Sequence, residues 1–244
     1  MEGISSDELG RGGAVLHAPF FVTAAHELKS PLALIRQLAF DIETGELSPE
    51  ETAKLAYPVR LTSERALRLT TDLTKHARLE DSLFDLEPFN PVTLCDEIVE
   101  ELTPLYRAKG RTLAVSGRRR AILGLANKDL LRRILLSFAD NALHYGSAEA
   151  PVTVSVQTMR GGELIRLGIR DYGPAVPTQL WQQLSSAVGT TRQPLHARPE
   201  SSGLGIHIAS KFAEAMQAKL GAIRHRDGAT FYVDIHTSRQ LRLL

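Results

Sequence analysis

The hydrophobic pattern of the first third of the chain predicts two long helices. From Phe21 to Ile42, apolar or small residues recur in alternating steps of four and three, which is typical of a helix with a coiled-coil-like seam. The seam consists of Phe21, Ala25, Leu28, Leu32, Ile35, Ala39 and Ile42. We place this helix from near Val15 to about Glu43. A second seam with the same spacing runs from Leu55 to His76 and predicts a second helix.

The connection between the two helices carries the signals of a tight turn. Gly45 suits the end of the first helix, and Ser48 followed by Pro49 suits the start of the second. Glu51 lies three residues after Ser48, as in a capping box. Two seamed helices joined by a short turn predict an antiparallel hairpin. Because one hairpin buries only one seam, two copies are expected to pair as a four-helix bundle, which predicts a homodimer.

The pattern changes after the second helix from heptads to a mixture of helices and strands. The predicted elements are a short strand or linker at 85–89, helices at 91–109, 127–145 and 206–220, and strands at 111–116, 152–156, 164–170 and 230–235. Residues 174–202 have weak periodicity and many Pro, Gly, Ser and Thr residues, so we interpret them as a long mobile loop. The predicted fold class is α+β, with an N-terminal helical hairpin followed by a domain of mixed helices and strands.

The predicted domain boundaries follow these changes in pattern. Residues 1–14 are expected to be a flexible tail, 15–82 a helical domain, 83–90 a linker or first strand, and 91–244 a second domain. At 244 residues the chain is long enough for two small domains, each with its own core.

The composition is that of an ordinary soluble globular protein, with 43% hydrophobic and 23% charged residues. A net charge of +1 gives no electrostatic reason to expect nucleic acid as a partner. Cys95 is the only cysteine, which excludes an intramolecular disulfide and any metal site built from several cysteines. No apolar run is as long as a membrane span and no signal peptide opens the chain. We therefore expect a cytoplasmic protein, or the cytoplasmic part of a longer membrane receptor.

One histidine on the first predicted helix is a candidate functional residue. His26 lies just off the seam, beside a small and polar strip that includes Ser30, and is placed to react with a group outside the bundle. From the helix pattern alone, an ordinary surface histidine is the simpler interpretation. The run His-Glu-Leu-Lys-Ser-Pro-Leu at 26–32, however, resembles the phosphoacceptor box of two-component sensor histidine kinases. The resemblance implies that His26 accepts a phosphoryl group, that Glu27 orients or deprotonates its ring, and that Ser30 could position a water for dephosphorylating a partner.

Four segments of the second half resemble the ATP-binding domain of the same family, an α/β sandwich of the Bergerat type. The first is Ser-Phe-Ala-Asp-Asn-Ala-Leu-His-Tyr at 137–145, which ends a predicted helix. By resemblance, Asn141 is the magnesium ligand, His144 lies near phosphate, and Tyr145 lies against the nucleotide. An amide oxygen suits Mg²⁺ because this ion prefers hard oxygen ligands.

The other three segments follow in the order that the family has. Asp-Tyr-Gly at 171–173 comes directly after a predicted strand, and the resemblance assigns Asp171 and Gly173 to the nucleotide site. Asp171 would accept a hydrogen bond from the exocyclic amine of adenine, and a carboxylate, which cannot donate, favours adenine over guanine. The third segment opens a predicted helix with Gly203, Leu204 and Gly205, where free N–H groups would cradle phosphates. A closing strand at 228–231 is the fourth.

The resemblance implies a homodimeric enzyme that uses ATP and Mg²⁺ to phosphorylate its own His26. The family then passes the phosphoryl group to an aspartate in the receiver domain of a response regulator. Phosphatase activity toward that regulator is a secondary hypothesis.

Two alternatives are weighed against this function. An ATPase of the same fold carries a glutamate four residues before the metal-binding asparagine; here that residue is Ser137, which argues against hydrolysis as the main function. The other alternative is a degenerate dimeric scaffold that binds a regulator without autokinase activity. It is supported by Ala175 and Ser201, which stand where the family usually has glycines.

Overall fold

The computed structural model describes residues 14–77, 84–116, 122–147, 150–174, 181 and 204–238, and in the first of these ranges the side chains of 22–75. The chain divides into two compact units, one ending at Leu73 and the other beginning at Thr74. Helices come first and a sheet with packed helices follows, which confirms the predicted α+β fold class. The predicted boundary at residue 82 and the tail before residue 14 fall outside the described residues and stay predictions.

Two long helices dominate the N-terminal unit. Helix α1 spans Ala14–Thr44 and helix α2 spans Pro49–Ala77, close to the bounds that the hydrophobic pattern predicts. The predicted capping box is present. The N–H of Ser48 donates to Glu51 Oε2 at 2.9 Å, and the N–H of Glu51 donates to Ser48 Oγ at 3.3 Å. These bonds satisfy N–H groups that the first turn of a helix leaves without an intrahelical partner.

The N-terminal unit buries little apolar surface by itself. Among its described side chains, only Ala24 and Ala66 are buried. Large apolar side chains are instead 48–65% exposed on the two helices: Val22, Leu32, Leu34, Phe40 and Leu67. Exposed apolar surface of this kind is unfavourable in water and is typical of helices that pack against a further partner. None of the helices that the structure describes is long and apolar enough to cross a bilayer.

The C-terminal unit is built on a seven-stranded mixed sheet. Its strands are β1 (Glu87–Phe89), β2 (Leu113–Ser116), β3 (Gly124–Ala126), β4 (Val152–Met159), β5 (Leu164–Arg170), β6 (Lys219–His225) and β7 (Gly228–Thr237). The strand order is β1-β3-β7-β5-β4-β2, and β6 also pairs with β7. Among the described strand pairs, β2 and β4 run parallel and the others run antiparallel.

Three helices form a layer on one face of this sheet. They are α3 (Pro91–Ala108), α4 (Lys128–Tyr145) and α5 (Leu204–Ala215), and α4 contacts both of the others. The core lies between the two layers, and its almost fully buried side chains include Leu94, Ile98, Leu135, Phe138, Leu167, Phe212 and Val233. The rings of Phe138 on α4 and Phe231 on β7 lie 5.7 Å apart, so the odd-numbered residues of β7 face the helices.

The C-terminal unit differs from the sequence prediction in two strands and one helix. Helix α5 ends at Ala215 instead of Leu220, and β6 begins at Lys219 after a turn in which Gln217 has a φ of 55°. The local sequence is rich in helix formers, but pairing with β7 buries Leu220 in a strand, so tertiary pairing overrides propensity. The pattern also missed β3, which is only three residues long. The predicted loop at 174–202 lies almost entirely outside the described residues.

The single cysteine provides a probe of the C-terminal unit. Cys95 lies on α3 with no exposed surface, and burial, together with the charge of Asp96, raises the pKa of its thiol to about 12. Because the thiolate is the reactive form, the native thiol at pH 8 is expected to react with iodoacetamide about 1000-fold more slowly than the unfolded chain does. Mass spectrometry with and without urea measures this difference, and equal rates would show that α3 is not packed as described.

Candidate functional site

The best-defined feature of the C-terminal unit is a buried carboxylate directly after β5. Asp171 is 4% exposed. Its Oδ1 accepts hydrogen bonds from the N–H of Gly173 at 3.2 Å and of Ala229 at 3.3 Å, and its own N–H donates to the Ala229 carbonyl at 3.0 Å. The carboxylate is therefore fixed by the backbone of two different segments, and it cannot rotate without breaking at least one bond.

Helix α4 presents the second group of predicted residues. The helix begins after Asn127, whose side chain accepts a hydrogen bond from the N–H of Leu130 at 3.1 Å and so caps the first turn. The apolar side of α4 packs into the core. Ser137, Asn141 and Tyr145 are four residues apart along a different side, and His144 lies three residues after Asn141, so the four side chains form one stripe. Asn141 and Tyr145 are half-buried, whereas His144 is exposed.

The end of α4 adjoins the loop that carries Asp171. The N–H of Ser147 donates to the Tyr172 carbonyl at 2.8 Å. A Cβ added to Gly173 would clash with the Tyr145 carbonyl oxygen, and one added to Gly146 would lie 3.6 Å from the Cβ of Asp171. Glycine is thus needed at position 173 for the close approach of two backbones. The structure brings Tyr145, Asp171 and Gly173 together.

The start of α5 lies beside the same stripe of α4. A Cβ on Gly205 would come within 2.9 Å of Ser137 Oγ, so the first turn of α5 packs closely against α4. Leu204, the first residue of α5, is buried. Gly203 falls outside the described residues. The candidate site therefore lies where the end of α4, the loop after β5 and the beginning of α5 meet.

Two residues that the sequence analysis did not single out surround this junction. Tyr106 is buried on α3 and donates from its hydroxyl to the Ala139 carbonyl at 2.8 Å. Burial raises the pKa of Tyr106, and the negative charges of Asp140 and Asp171 raise it further. Arg111 donates to the Ala142 carbonyl at 3.2 Å, which places a positive charge at the C-terminal end of α4, where it is favourable.

The turn between β6 and β7 also belongs to this site. Gly228 has a φ of 123°, and a Cβ there would lie 2.6 Å from Asp171 Oδ1. Arg170 ties the turn to the loop: its Nη1 donates to the Asp171 carbonyl, and its Nη2 lies 2.5 Å from Asp227 Oδ1. The guanidinium also stacks on the ring of Tyr172, 4.3 Å from its centre. An Asp-Gly pair between two strands is a known hairpin signal, and it could have indicated this turn from the sequence.

The predicted phosphoacceptor residues lie on α1 in the N-terminal unit. His26 and Ser30 are exposed, and Glu27, next to His26 along the helix, is half-buried. Exposure makes the His26 ring accessible to a reactant, while the roles of all three residues stay predictions.

Comparison with known proteins identifies the C-terminal unit. Residues 126–239 match the family described as histidine kinase-, DNA gyrase B-, and HSP90-like ATPase. These 114 residues, just under half of the chain, are thus similar to that family, and we call them the ATPase domain. The ATPase domain thus contains α4, the loop with Asp171 and the β6–β7 turn, which are the elements that form the candidate site.

Longer similarities extend beyond the ATPase domain into the helical unit. The chain is 26% identical to sensor protein CutS of Streptomyces coelicolor over 203 residues, which cover 83% of this chain and 48% of CutS. The chain therefore spans about half the length of that relative. Together with the ATPase domain, this similarity confirms the resemblance to sensor histidine kinases that the sequence motifs predict.

Two solved structures share the fold. Full-length ShkA in complex with AMPPNP has a TM-score of 0.57 and 24% identity, and the match covers 89% of this chain and 46% of ShkA. Histidine kinase ThkA in complex with the response regulator protein TrrA has a TM-score of 0.64 and 16% identity, with 94% of this chain and 64% of ThkA covered. At these identities the likeness concerns the fold alone.

Proposed function

We propose that this chain is an ATP-dependent protein-histidine kinase that phosphorylates His26 and passes the phosphoryl group to an aspartate of a response regulator. The observation that carries the proposal is the carboxylate of Asp171, which is buried and held by two backbone N–H groups inside a histidine kinase-type ATPase domain. Such a carboxylate is pre-organised to accept a hydrogen bond from a nucleobase, and it favours adenine, which donates, over guanine, which presents a carbonyl.

The rest of the nucleotide is assigned to α4 and α5. Gly203, Leu204 and Gly205 lie at or just before the start of α5, and the positive end of the helix dipole there favours bound phosphates. His144 lies near the phosphates, and Tyr145, whose backbone adjoins Gly173, lies against the nucleotide. Asn141 offers a neutral oxygen ligand on the same side of α4, and bound Mg²⁺ would neutralise charge on the phosphates. AMPPNP in the structure of ShkA, which shares this fold, supports ATP as the substrate.

The proposed reaction has two phosphoryl transfers. In the first, an imidazole nitrogen of His26 attacks the γ-phosphorus, the bond from that phosphorus to the β-phosphate oxygen breaks, and ADP leaves. Glu27 orients the ring or accepts the proton that the imidazole loses. In the second, a carboxylate oxygen of the regulator attacks the phosphorus, and the N–P bond breaks. ThkA in complex with TrrA, a response regulator protein, supports this class of partner.

We further propose that the chain acts as a homodimer. The exposed apolar side chains of α1 and α2, which include Leu32, Phe40 and Leu67, support this proposal, because a second hairpin would remove them from water. Ser30, one turn beyond His26, is proposed to position a water for dephosphorylating the regulator. Removal of the hydroxyl in Ser30→Ala is expected to slow that dephosphorylation while His26 still becomes phosphorylated.

Labelling with γ-³²P-ATP and Mg²⁺ tests the kinase. Wild-type protein is expected to acquire an acid-labile, alkali-stable label, because a phosphohistidine N–P bond has those properties. His26→Ala is expected to acquire none. Asn141→Ala is expected to label at least about 100-fold more slowly, because it lacks the proposed metal ligand. His236→Ala, which removes an exposed histidine from β7, serves as the matched control and should label normally. A folded wild-type dimer that binds ATP but never labels would favour the scaffold alternative.

A further inference from the structure

The face of the sheet opposite the three helices carries a hollow of about 300 Å³. Strands β5 and β7 line it with the even-numbered residues Leu164, Arg166, Tyr232, Asp234 and His236, whereas their odd-numbered residues face the core. The hollow lies near the beginning of β5, and Asp171 follows the end of that strand. It is therefore on the other face and toward the other end of the sheet from the candidate nucleotide site, and both can be occupied at once.

The floor of the hollow is rigid and nearly neutral. Arg166 and Asp234 form a bidentate pair, with Nε–Oδ1 at 2.7 Å and Nη2–Oδ2 at 2.8 Å. The guanidinium of Arg166 also lies 3.5 Å from the centre of the Tyr232 ring. Both side chains of the pair are largely buried, at 19% and 9% exposure. The charges of Arg166 and Asp234 neutralise each other, so the sign of the electrostatic potential in the hollow depends on the residues at its edge.

The edge of the hollow is positively charged. Arg160, beyond the end of β4, and Lys219, at the start of β6, are both exposed and line the hollow from opposite sides. Neither side chain forms a salt bridge with any residue that the structure describes, and the contact of Arg160 with Glu163 is a backbone hydrogen bond, from the Glu163 N–H to the Arg160 carbonyl at 3.3 Å. His236 is also exposed at the edge. The hollow thus presents two cations that form no salt bridge within the described residues, while Asp234, which lies opposite Lys219 in the sheet, is paired with Arg166.

The backbone at both sides of the hollow is held in an unusual conformation. Among the described residues, Arg160 with a φ of 48° and Gln217 with a φ of 55° are the non-glycine residues with positive φ, and both line the hollow. Gln217 is the left-handed residue that ends α5, where the N–H of Ala218 donates to the Ala213 carbonyl at 2.8 Å. Arg160 begins the turn with Gly161 and Gly162 that joins β4 to β5. These two turns fix the backbone at the edges of the hollow.

We propose that this hollow binds an acidic segment of a partner protein, through two carboxylates that pair with Arg160 and Lys219. In the register of the sheet, Met159 aligns through Leu164 with His236, and Lys219 aligns with Asp234. The backbones of Arg160 and Lys219 therefore lie three strands and about three residues apart, or roughly 17 Å. An extended peptide advances about 3.4 Å per residue, so acidic residues four positions apart lie on one side of it, about 14 Å from each other, within reach of both long side chains.

The test uses the full chain, labelled with ¹⁵N, and the peptide GSEGSGEGSG, in which two glutamates are four positions apart. Its addition is expected to shift the amide signals of residues 159–166, 217–219 and 232–236, and to leave those of Asp171 and Gly173 in place. Saturation is expected at about 1 mM or below at low ionic strength. The peptide GSQGSGQGSG, which has the same length without the charges, is expected to shift nothing.

Charge reversal distinguishes the hollow from general attraction between opposite charges. Arg160→Glu with Lys219→Glu is expected to weaken peptide binding at least about tenfold, since two attractive contacts become repulsive. Lys109→Glu makes the same kind of change at an exposed position at the end of α3 and should leave binding unaltered. Equal losses in both variants, equal binding of the glutamine peptide, or saturation of the same signals by citrate at lower concentration than the peptide would each overturn the proposal. Urea unfolding of each variant verifies that the fold is intact.

Discussion

Replacing Asp171 with asparagine is expected to lower the affinity for ATP about 100-fold, which corresponds to about 3 kcal/mol. The N–H groups of Gly173 and Ala229 both donate to Oδ1, so the amide oxygen of asparagine is expected to take that position. Its NH₂ group then replaces the second carboxylate oxygen and meets the exocyclic amine of adenine, which is also a donor. The variant loses a charge-assisted hydrogen bond and gains a contact between two donors.

Titration calorimetry with ATP and GTP measures this effect. The preference for ATP over GTP is expected to fall as well, because an amide NH₂ can donate to the carbonyl oxygen of guanine. Asp85→Asn, the same chemical change at an exposed position before β1, serves as the control and should bind ATP like the wild type. Unchanged ATP affinity in Asp171→Asn, with unchanged preference between the nucleotides, would show that this carboxylate does not contact the base.

The helical unit could be predicted closely because its determinants are local. A seam with steps of three and four depends on residues within one or two turns, and the capping box of Ser48 and Glu51 spans only three residues. Strand β5, Leu164–Arg170, was predictable for a similar reason, since a turn with glycines precedes an apolar run of strand length. In each case the interactions that decide the structure lie inside the segment that the pattern describes.

Strand β6 could not be predicted in the same way because its determinants are distant. The segment that contains Lys219 and Leu220 has the composition of a helix end, and its own residues contain little that disfavours a helix. It becomes a strand because β7 offers a free edge, where Leu220 pairs with Val233 and reaches the core. Local propensity of this size is readily outweighed by hydrogen bonds and burial along a whole strand.

The candidate site likewise contains residues that could be predicted from local sequence and contacts that could not. Asn141, Asp171 and Gly173 could be selected from the sequence because each belongs to a contiguous motif that resembles a known family. The segment with Gly228 and Ala229 could also be selected, as a closing strand at 228–231, but its contact with Asp171 could not be predicted, although these two residues shape the site as closely. They lie 57 and 58 residues after Asp171 in the chain, and only the pairing of β7 with β5 and β6 brings them to its carboxylate. A contiguous motif contains the residues that contact a ligand. The residues that hold those side chains in place can lie far away in the sequence, and only the strand pairing brings them together.

Replacing Gly228 with alanine is expected to destabilise the ATPase domain by about 2–5 kcal/mol and to weaken ATP binding at least about tenfold. The φ of 123° at Gly228 is unfavourable for any residue with a Cβ. The added methyl would also lie 2.6 Å from Asp171 Oδ1 and 2.8 Å from Arg170 Nη1, so steric overlap with both side chains adds to the backbone strain at residue 228. Relief requires Asp171 to move, and its hydrogen bond from Ala229 is then lengthened or lost.

Comparison of Gly228→Ala with Gly161→Ala distinguishes the effect of backbone strain from the effect of displacing Asp171. Gly161 also has a positive φ, of 66°, but no atom lies within 4 Å of the position that its Cβ would take. Its replacement is expected to cost only about 1 kcal/mol and to leave ATP affinity unchanged. Cys95 alkylation in increasing urea reports the unfolding of the C-terminal unit, which contains the ATPase domain, because the only cysteine lies on α3 and α3 packs against α4. If Gly228→Ala lost stability but kept full ATP affinity, the β6–β7 turn would support the fold without positioning Asp171 for the nucleotide.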